Sequence, residues 1–478
     1  MRGCFEVPNA LLAKINVPNL QPLSLMPSDA LQTETGAAIT ALSEDEFAKI
    51  LHNVGMFESN PDVAVGCSGG ADSLALTLLL ANWVARRNGH LTALIVDHGL
   101  RSGSADEANQ VKNWLAERSV DCEVLCANLL PETSSLQEAA RLARYDLMGE
   151  WCVRQGVLHL FIAHHGEDQA ETLLMNLVRG SGVDGLAGMA TISERPQFRV
   201  LRPLLGISKA RLERTLGECG QKFIEDPSNK NRKFKRVRIR EVLPVLAREG
   251  ATVGRLIMTA HRMSNARKVL EDTSIRLLAG AAEIYPEGYA RLDFARWSAA
   301  PAEISRRSLG RLVMCVGGKL YPPRSERLMR CYVALTTRSK TPIARTLGGC
   351  RVIKRGPSIY ICCEVLRIPE LVTVLPNQRW NGRFLVSNLG AKESVKVRSL
   401  GAKSVKFLQG YRAAKIPATV RHALPTILGL DGEAFVPQLV GVTMQDGVAD
   451  RGTVSAVFQP LRPLSGAPFG VENATNSP

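Results

Sequence analysis

The run VAVGCSGGADS, followed directly by LALTLLLANWVA, constrains the fold of this chain more than any other segment. An apolar run, a glycine-rich turn and a second apolar stretch predict a strand, a loop and a helix in succession. The unpaired N–H groups and the positive dipole end of a helix's first turn meet at such a loop, which therefore favours phosphate. Its glycines allow close approach of an anion, its serines offer hydroxyl donors, and its aspartate can hold Mg²⁺. The loop residues are Ser68, Gly69, Gly70, Ala71, Asp72 and Ser73.

Strand and helix patterns alternate from Asp62 onward. The short apolar runs VAVG, LTALIVD, CEVLCA and LHLFIAH are separated by helical stretches, a pattern typical of α/β proteins with a doubly wound parallel sheet. Ligands of such sheets bind at the carboxyl ends of the strands. The phosphate loop, Asp97-His98 and His164-His165 all follow strands. We therefore expect these polar groups to meet at one edge of the sheet.

Composition shifts divide the 478 residues into four parts. We expect a loosely ordered tail at 1–42, a nucleotide-binding α/β domain at 43–245, and a mostly helical domain at 246–340, with Arg248 to about Pro301 as helix. A small β-rich domain should occupy 341–478, where CRVIKRGPSIYICCEV, RFLVSN and SVKVRSL read as short strands.

The net charge of +15 and the pI near 9.5 indicate a polyanionic partner. The charge is clustered, because fourteen Lys and Arg residues lie between Arg195 and Arg240 against four acidic ones. Eleven cysteines without a regular framework favour a reducing, cytoplasmic location. No apolar stretch reaches the length of a membrane span, so we expect no membrane association.

Five further segments stand out in the chain. They are VDHGLR (96–101), LQEAARLARYDLM (136–148), AHHGEDQAETLLMNLVRGSGVDGLAGM (163–189), RPLLGISKARL (202–212) and EDPSNKNRKFKRVRIREVLPVL (225–246). Together with the SGGADS loop these segments resemble those of the bacterial tRNA(Ile)-lysidine synthases, which are ATP pyrophosphatases of the PP-loop superfamily with an adenine nucleotide alpha hydrolase-like fold. The similarity runs from about Asp62 to Leu246 and returns weakly in KFLQGYRAAKIPATVRHALPTI and FVPQLVG.

The resemblance implies a ligase that uses ATP and Mg²⁺. Such an enzyme adenylates O2 of the wobble cytidine in a tRNA(Ile) with a CAU anticodon, and L-lysine then displaces AMP from carbon 2. The expected partners are this tRNA and free lysine. The sequence does not determine the oligomeric state, and a homodimer is one of the states we consider.

The same resemblance implies roles for individual residues. Asp72 would hold Mg²⁺, and Asp168 and Glu171, three apart on a helix face, would bind lysine. Two departures from the family pattern are Val237, where Asn is usual, and Gly166-Glu167, where the family more often has a residue followed by Asp. We expect His98, His164 and His165 to position groups around ATP rather than to act in catalysis. The implied catalytic residues are Asp72, Arg141, Arg236 and Arg238; ATP binding adds Asp97 and His98 to the loop; tRNA binding falls to Lys230, Lys233, Lys235 and Arg240.

Three other functions stay open at this point. A PP-loop tRNA thiolase also adenylates a base carbonyl, but thiolases with an iron–sulfur cluster need CxxC pairs, and this chain has none. An amide-forming ATP pyrophosphatase would not explain the basic surface. A catalytically inactive tRNA-binding homologue would not need the intact phosphate loop.

Overall fold

The computed structural model describes 14 stretches of the chain, and of residues 136–142 it describes the backbone only. His98, Lys230 and residues 1–38 of the expected tail lie outside the described residues. The chain divides into two compact units, one formed by residues 1–191 and 200–261 and the other by 192–199 and 262–478. The described residues are 39–97, 99, 103–126, 136–195, 198–225, 231–338, 341–365, 368, 371–376, 378–388, 394–401, 416–428, 434–439 and 454–464.

The first unit holds β1 to β4 and most of β6 of a mostly parallel six-stranded sheet, whose strand order is β3-β2-β1-β4-β6-β5; β5 lies within residues 192–199. This confirms the predicted α/β class, since β1 pairs in parallel with both β2 and β4. The strands are β1 (Asp62–Gly66), β2 (His90–Asp97), β3 (Asp121–Cys126), β4 (His159–Ile162), β5 (Ile192–Glu194) and β6 (Arg199–Leu201). The helices are α1 (Glu44–Val54), α2 (Ala71–Ala85), α3 (Ser104–Glu117), α4 (Leu136–Gln155), α5 (Gly166–Val178), α6 (Val183–Leu186), α7 (Lys209–Glu218), α8 (Lys235–Arg248) and α9 (Val253–Ala281), the last of which continues into the second unit.

Helix α2 is apolar on all sides because it is buried on all sides. It contacts β1 and β2 of the sheet as well as α1 and α7. Leu74, Leu76 and Leu80 have no exposed surface. Burial of each such side chain stabilises the fold by about 1.5–3 kcal/mol. This packing fixes the end of α2 that carries the phosphate loop.

Helix α8 continues past Pro244 to Arg248, although a proline inside a helix usually ends or kinks it. Proline has no N–H, so the carbonyl of Arg240 lacks its usual helical donor. The helix persists because Leu243 packs into a small core with Ala170, Leu173 and Leu174 of α5. Packing therefore overrides the local preference at Pro244.

The second unit contains a five-stranded antiparallel sheet in the order β7-β8-β11-β10-β9. Its first hairpin, β7 (Ala282–Tyr285) and β8 (Tyr289–Asp293), lies in the stretch expected to be helical as far as Pro301, and that expectation was wrong. Gly288, at φ +77°, makes the turn in YPEGY. The helical interpretation of this stretch did not predict the turn. The remaining strands are β9 (Ile343–Leu347), β10 (Cys350–Arg355) and β11 (Ser358–Cys363), and the helices are α10 (Phe294–Ala299), α11 (Ala302–Gly317) and α12 (Ser325–Thr336).

Two small antiparallel sheets complete the second unit, in the orders β12-β15-β16-β17 and β13-β14-β18. The three β-rich segments expected from the sequence contain strands. The elements are β12 (Val372–Val374), β13 (Gln378–Trp380), β14 (Phe384–Asn388), β15 (Val395–Ser399), α13 (Ala418–Arg421), β16 (Pro425–Leu428), β17 (Ala434–Phe435) and β18 (Val454–Phe458). Among the helices that the structure describes, none has the length and apolar character needed to cross a membrane.

Candidate active site

The phosphate loop joins the end of β1 to the start of α2. Gly70 is the N-cap residue of α2 and has no side chain to cap the helix, so nothing from this residue covers the first-turn N–H groups. The hydroxyl of Ser73 accepts from the amide of Ser68 at 3.1 Å and donates to the carbonyl of Gly70 at 3.0 Å. These two hydrogen bonds fix the shape of the loop at the N-terminus of α2, the end of a helix that favours anions.

Gly69 has a φ of +80°, which only glycine adopts without strain. A Cβ at this position would lie 2.5 Å from Cγ2 of Val111 and 3.2 Å from Cδ1 of Ile224. The amide of Ile224 donates a hydrogen bond of 2.9 Å to the carbonyl of Gly69. The segment that leads into the basic stretch is thus attached to the phosphate loop.

Asp72 lies in the first turn of α2 with its side chain 27% exposed. Its Oδ1 is buried without a hydrogen-bond partner. Burial raises the pKa of Asp72, and the nearby His165 opposes that rise. A carboxylate oxygen in this state fits a cation. In the described residues no group of three or more His, Cys, Asp or Glu side chains could hold a metal, so Mg²⁺ at Asp72 would take its remaining oxygen ligands from phosphate and water.

His165 connects three carboxylates at the start of α5. Its Nδ1 lies 2.8 Å from Oε2 of Glu167, and its Nε2 lies 3.5 Å from both Oδ2 of Asp72 and Oδ2 of Asp168. Burial alone would lower the pKa of His165, but the hydrogen bond with Glu167 and the charges of the two aspartates raise it. A protonated imidazole at this position holds the phosphate loop and α5 together.

Glu167 contacts the start of α7 as well as His165. Its Oε2 also accepts from the amide of Lys209, the first residue of α7, at 3.0 Å. Burial would raise the pKa of Glu167, but the hydrogen bond and charge of His165, with the Lys209 amide, lower it. Space beside Gly166 is tight, because a Cβ there would lie 2.8 Å from Cδ1 of Ile257 and 3.1 Å from the carbonyl oxygen of Ile207.

Asp168 and Glu171 lie on one face of α5, as their spacing predicts, but in different surroundings. The amide of His165 donates to Oδ2 of Asp168 at 3.2 Å. Burial would raise the pKa of Asp168, but His165, His164 and Arg236 lower it. Glu171 is fully buried, and burial raises its pKa against the hydrogen bond from Arg240.

The three arginines of RVRIR on α8 divide between two environments. Nε of Arg240 donates to Oε1 of Glu171 at 2.7 Å, and Nε of Arg236 lies 3.6 Å from Oε2 of the same carboxylate. Arg238 instead donates to the carbonyls of Arg232 and Lys233 at 2.8 and 2.9 Å. The fold therefore brings Arg236 and Arg240 to the α5 carboxylates, whereas Arg238 contacts the preceding turn.

The other residues expected at the site are described in part. Oδ1 of Asp97, at the end of β2, accepts from the amide of Gly99 at 2.9 Å. Lys233 is exposed and Lys235 half-buried at the start of α8. Of Arg141 only the backbone, within α4, is described, and the places expected for His98 and Lys230 lie outside the described residues.

Sequence reasoning missed two contributors to the site. Ile224 acts through its backbone, and a residue's backbone hydrogen bond has no signature in its side-chain type. The pairing of Arg240 with Glu171 depends on how α8 packs against α5. Arg240 and Glu171 are 69 positions apart in the sequence. Their opposite charges are compatible with a contact but do not predict it.

Comparison with known proteins extends these observations. The family model described as a PP-loop domain matches residues 40–246. The tRNA(Ile)-lysidine synthase of Wolbachia sp. subsp. Brugia malayi is 34% identical over 377 residues, which are 77% of this chain and 86% of that protein. That of Ruegeria pomeroyi is 34% identical over 79% of this chain and 88% of its own length. That of a Bradyrhizobium sp. is 38% identical over 64% and 90%.

One solved structure also shows a similarity. It is the U34-tRNA thiolase NcsA from Methanococcus maripaludis with its [4Fe-4S] cluster, with a TM-score of 0.40 and 20% identity over 46% of this chain and 78% of that chain. A similarity of this size does not bear on function. The matches to the curated proteins span most of both chains, and they confirm the resemblance stated from the sequence motifs. The chain belongs to the tRNA(Ile)-lysidine synthase family.

Proposed function

We propose that this chain joins L-lysine to carbon 2 of the wobble cytidine of a CAU-anticodon tRNA(Ile), with ATP cleaved to AMP and diphosphate. The product, lysidine, changes the tRNA from methionine to isoleucine identity. The observation that carries the proposal is the contact of His165 with both Asp72 of the phosphate loop and Asp168 of α5. It joins a nucleotide site to a buried acidic site suited to an amine, on a chain whose relatives bear this name.

In the first step, O2 of the cytidine attacks the α-phosphorus of ATP, and the bond to the diphosphate breaks. Charge develops on the leaving group, so fixed donors there lower the barrier. The first turn of α2, with Ser68 and Ser73, would supply such donors, and Gly69 and Gly70 allow the close approach. Mg²⁺ held by Asp72 would supply further neutralisation of the diphosphate charge.

In the second step, the ε-amine of lysine attacks carbon 2, the bond from carbon 2 to the AMP oxygen breaks, and a proton leaves the nitrogen. The amine has an ordinary pKa of about 10.4 and must be neutral to attack. Asp168 and Glu171 would hold the positive charge of the bound amino acid. Arg141, Arg236 and Arg238 would balance the α-phosphate, since a guanidinium offers paired donors to phosphate oxygens.

The tRNA would be held mainly through its phosphates. Lys230, Lys233 and Lys235 lie in or beside the segment that Ile224 attaches to the phosphate loop. Lysine contacts of this kind contribute affinity rather than base specificity. We also propose a cytoplasmic location, where tRNA, ATP and free lysine are available, and the homodimer stays a prediction.

The test incubates the protein with ATP, Mg²⁺, labelled lysine and unmodified tRNA(Ile) transcript bearing CAU. We expect label bound stably to the RNA, with equal amounts of AMP and diphosphate, and no label on methionine tRNA. AMP formation without lysine transfer would favour a thiolase. Binding of tRNA without AMP formation would favour an inactive homologue.

A further inference from the structure

Glu171 is a buried carboxylate whose two oxygens have different surroundings. Oε1 accepts a hydrogen bond of 2.7 Å from Nε of Arg240. Oε2 is buried without a hydrogen-bond partner, and Nε of Arg236, 3.6 Å away, is likewise buried without one. Oε1 of Glu171 is therefore hydrogen-bonded within the protein, whereas Oε2 has the ion pair with Arg236 but no hydrogen bond.

The position of Arg240 is set by the packing of α8 on α5. Ile239, Leu243 and Leu246 of α8 pack with Leu173 and Leu174 of α5. This contact fixes the rotation of α8, and residues four apart on a helix lie on the same side. Arg236 and Arg240 are four apart, so both reach the carboxylate from one side. Arg240 cannot move away from Glu171 without a change in this packing or in its own rotamer.

Oε2 of Glu171, which accepts no hydrogen bond in the structure, is suited to accept one from a positively charged donor. A buried carboxylate oxygen without a donor costs free energy, and the cost is removed when an N–H group binds to it. Hydrogen bonds between an ammonium group and a carboxylate are among the strongest in proteins. An amino-acid ammonium is such a donor, and Asp168, one helical turn before Glu171, adds a second carboxylate.

We propose that Arg240 is a positioning residue for lysine: by holding Oε1 of Glu171, it directs Oε2 toward the ammonium group of the substrate. This inference rests on the proposed function, because it assumes that free lysine binds at α5. It replaces the contact with tRNA that the sequence predicted for Arg240. Burial raises the pKa of Glu171, and the hydrogen bond and charge of Arg240 oppose that rise, so Arg240 favours the charged form of the carboxylate.

The experiment measures the KM values of lysine, ATP and tRNA in four variants. Arg240→Gln should raise the lysine KM by about ten- to hundredfold, the effect of losing one charge-assisted hydrogen bond. The ATP and tRNA KM values should stay as in the unchanged protein. Arg248→Gln, an exposed position on the same helix, is the matched control and should change none of the three.

A double variant separates positioning from a loss of folding. Arg240→Gln alone removes the hydrogen bond to the buried carboxylate of Glu171 and lowers stability. Glu171→Gln together with Arg240→Gln removes both charges, so the unfolding midpoint should recover. If Arg240 acts only through Glu171, the lysine KM of the double variant equals that of Glu171→Gln alone.

Two results would overturn the inference. One is a rise in the tRNA KM for Arg240→Gln in both backgrounds, with a smaller salt dependence of tRNA binding, which would make Arg240 a phosphate contact. The other is an unchanged lysine KM in folded Arg240→Gln while Glu171→Gln raises it. Both leave the proposed function standing. Failure of the unchanged protein to attach lysine to tRNA would instead remove the proposed function and this inference with it.

Discussion

The backbone amide of Ile224 donates a hydrogen bond of 2.9 Å to the carbonyl of Gly69, which lies 155 positions earlier in the sequence. The bond attaches the start of the basic segment 225–246 to the phosphate loop at its most constrained residue. Ile224 also occupies the space beside Gly69, with Cδ1 3.2 Å from where a Cβ would stand. The loop that should bind the diphosphate and the segment that should bind tRNA are therefore joined through the backbone.

Gly69→Ala should destabilise the first unit and abolish AMP formation. The left-handed conformation and the 2.5 Å approach to Val111 each carry a cost, and together they amount to about 2–4 kcal/mol. The free energy of unfolding from urea titration measures this change. Gly156→Ala is the control. Gly156 has a φ of +73° but open space around it, so this substitution should lower the free energy of unfolding only by the cost of backbone strain. Equal losses at the two positions would contradict the steric argument.

Asp72→Asn should lower AMP formation by about a thousandfold or more, because the position then lacks the charge that holds Mg²⁺ against phosphate. It should not lower the unfolding midpoint. Burial raises the pKa of Asp72, which means that its charge is less stable in the folded protein than in the unfolded one. Binding of tRNA should persist. A variant that keeps its rate of AMP formation would place the metal elsewhere.

The affinity for tRNA should fall steeply with salt, because the contacts release counterions from phosphates. Removing one phosphate contact should reduce the slope of log K against log salt by roughly 0.7–0.9. We expect this change for Lys233→Ala and for Lys235→Ala. Lys49→Ala, an exposed position on α1, should leave the slope unchanged. A slope that is the same in all three variants would remove the two lysines from the interface.

His90 should make stability depend on pH. Its Nε2 lies 3.0 Å from Oδ2 of Asp121, and its Nδ1 lies 3.4 Å from Oδ1 of Asp62, so one imidazole bridges three strand ends. The hydrogen bond with Asp121 raises the pKa of His90, burial opposes this rise, and Asp62 adds to it. The contribution is therefore fully present below the unfolded value of about 6.5 and is lost as the pH rises through the raised value.

The difference in unfolding midpoint between the unchanged protein and His90→Gln measures this contribution between pH 5.5 and 9. We expect the difference to be largest at the acidic end and to shrink as the pH increases. Asp121→Asn should flatten the profile. A difference that is independent of pH would mean that the charge of His90 adds nothing.

Much of the first unit follows from the sequence. The parallel sheet follows from the short apolar strands between helical stretches. The hairpin of β7 and β8 could not be found in this way. Its strands have four and five residues, which is too short for a period of two to stand out between long helices. The assignment of substrate roles to individual residues stays a prediction.

The sequence by itself determined the chemistry available to this protein, because the strand, glycine loop and helix of residues 63–85 form locally and place Ser68, Gly69, Gly70 and Asp72 at a helix N-terminus. Only the tertiary structure decided which charged groups meet. Asp168 and Glu171 look equivalent on a helical wheel, yet Asp168 faces His165 and Glu171 faces Arg240. The contact of Asp168 with His165, the N-cap of its own helix, is local. Arg240 and Asp72, by contrast, come from other elements, and their positions are fixed by the packing of those elements against α5 rather than by any spacing along the chain.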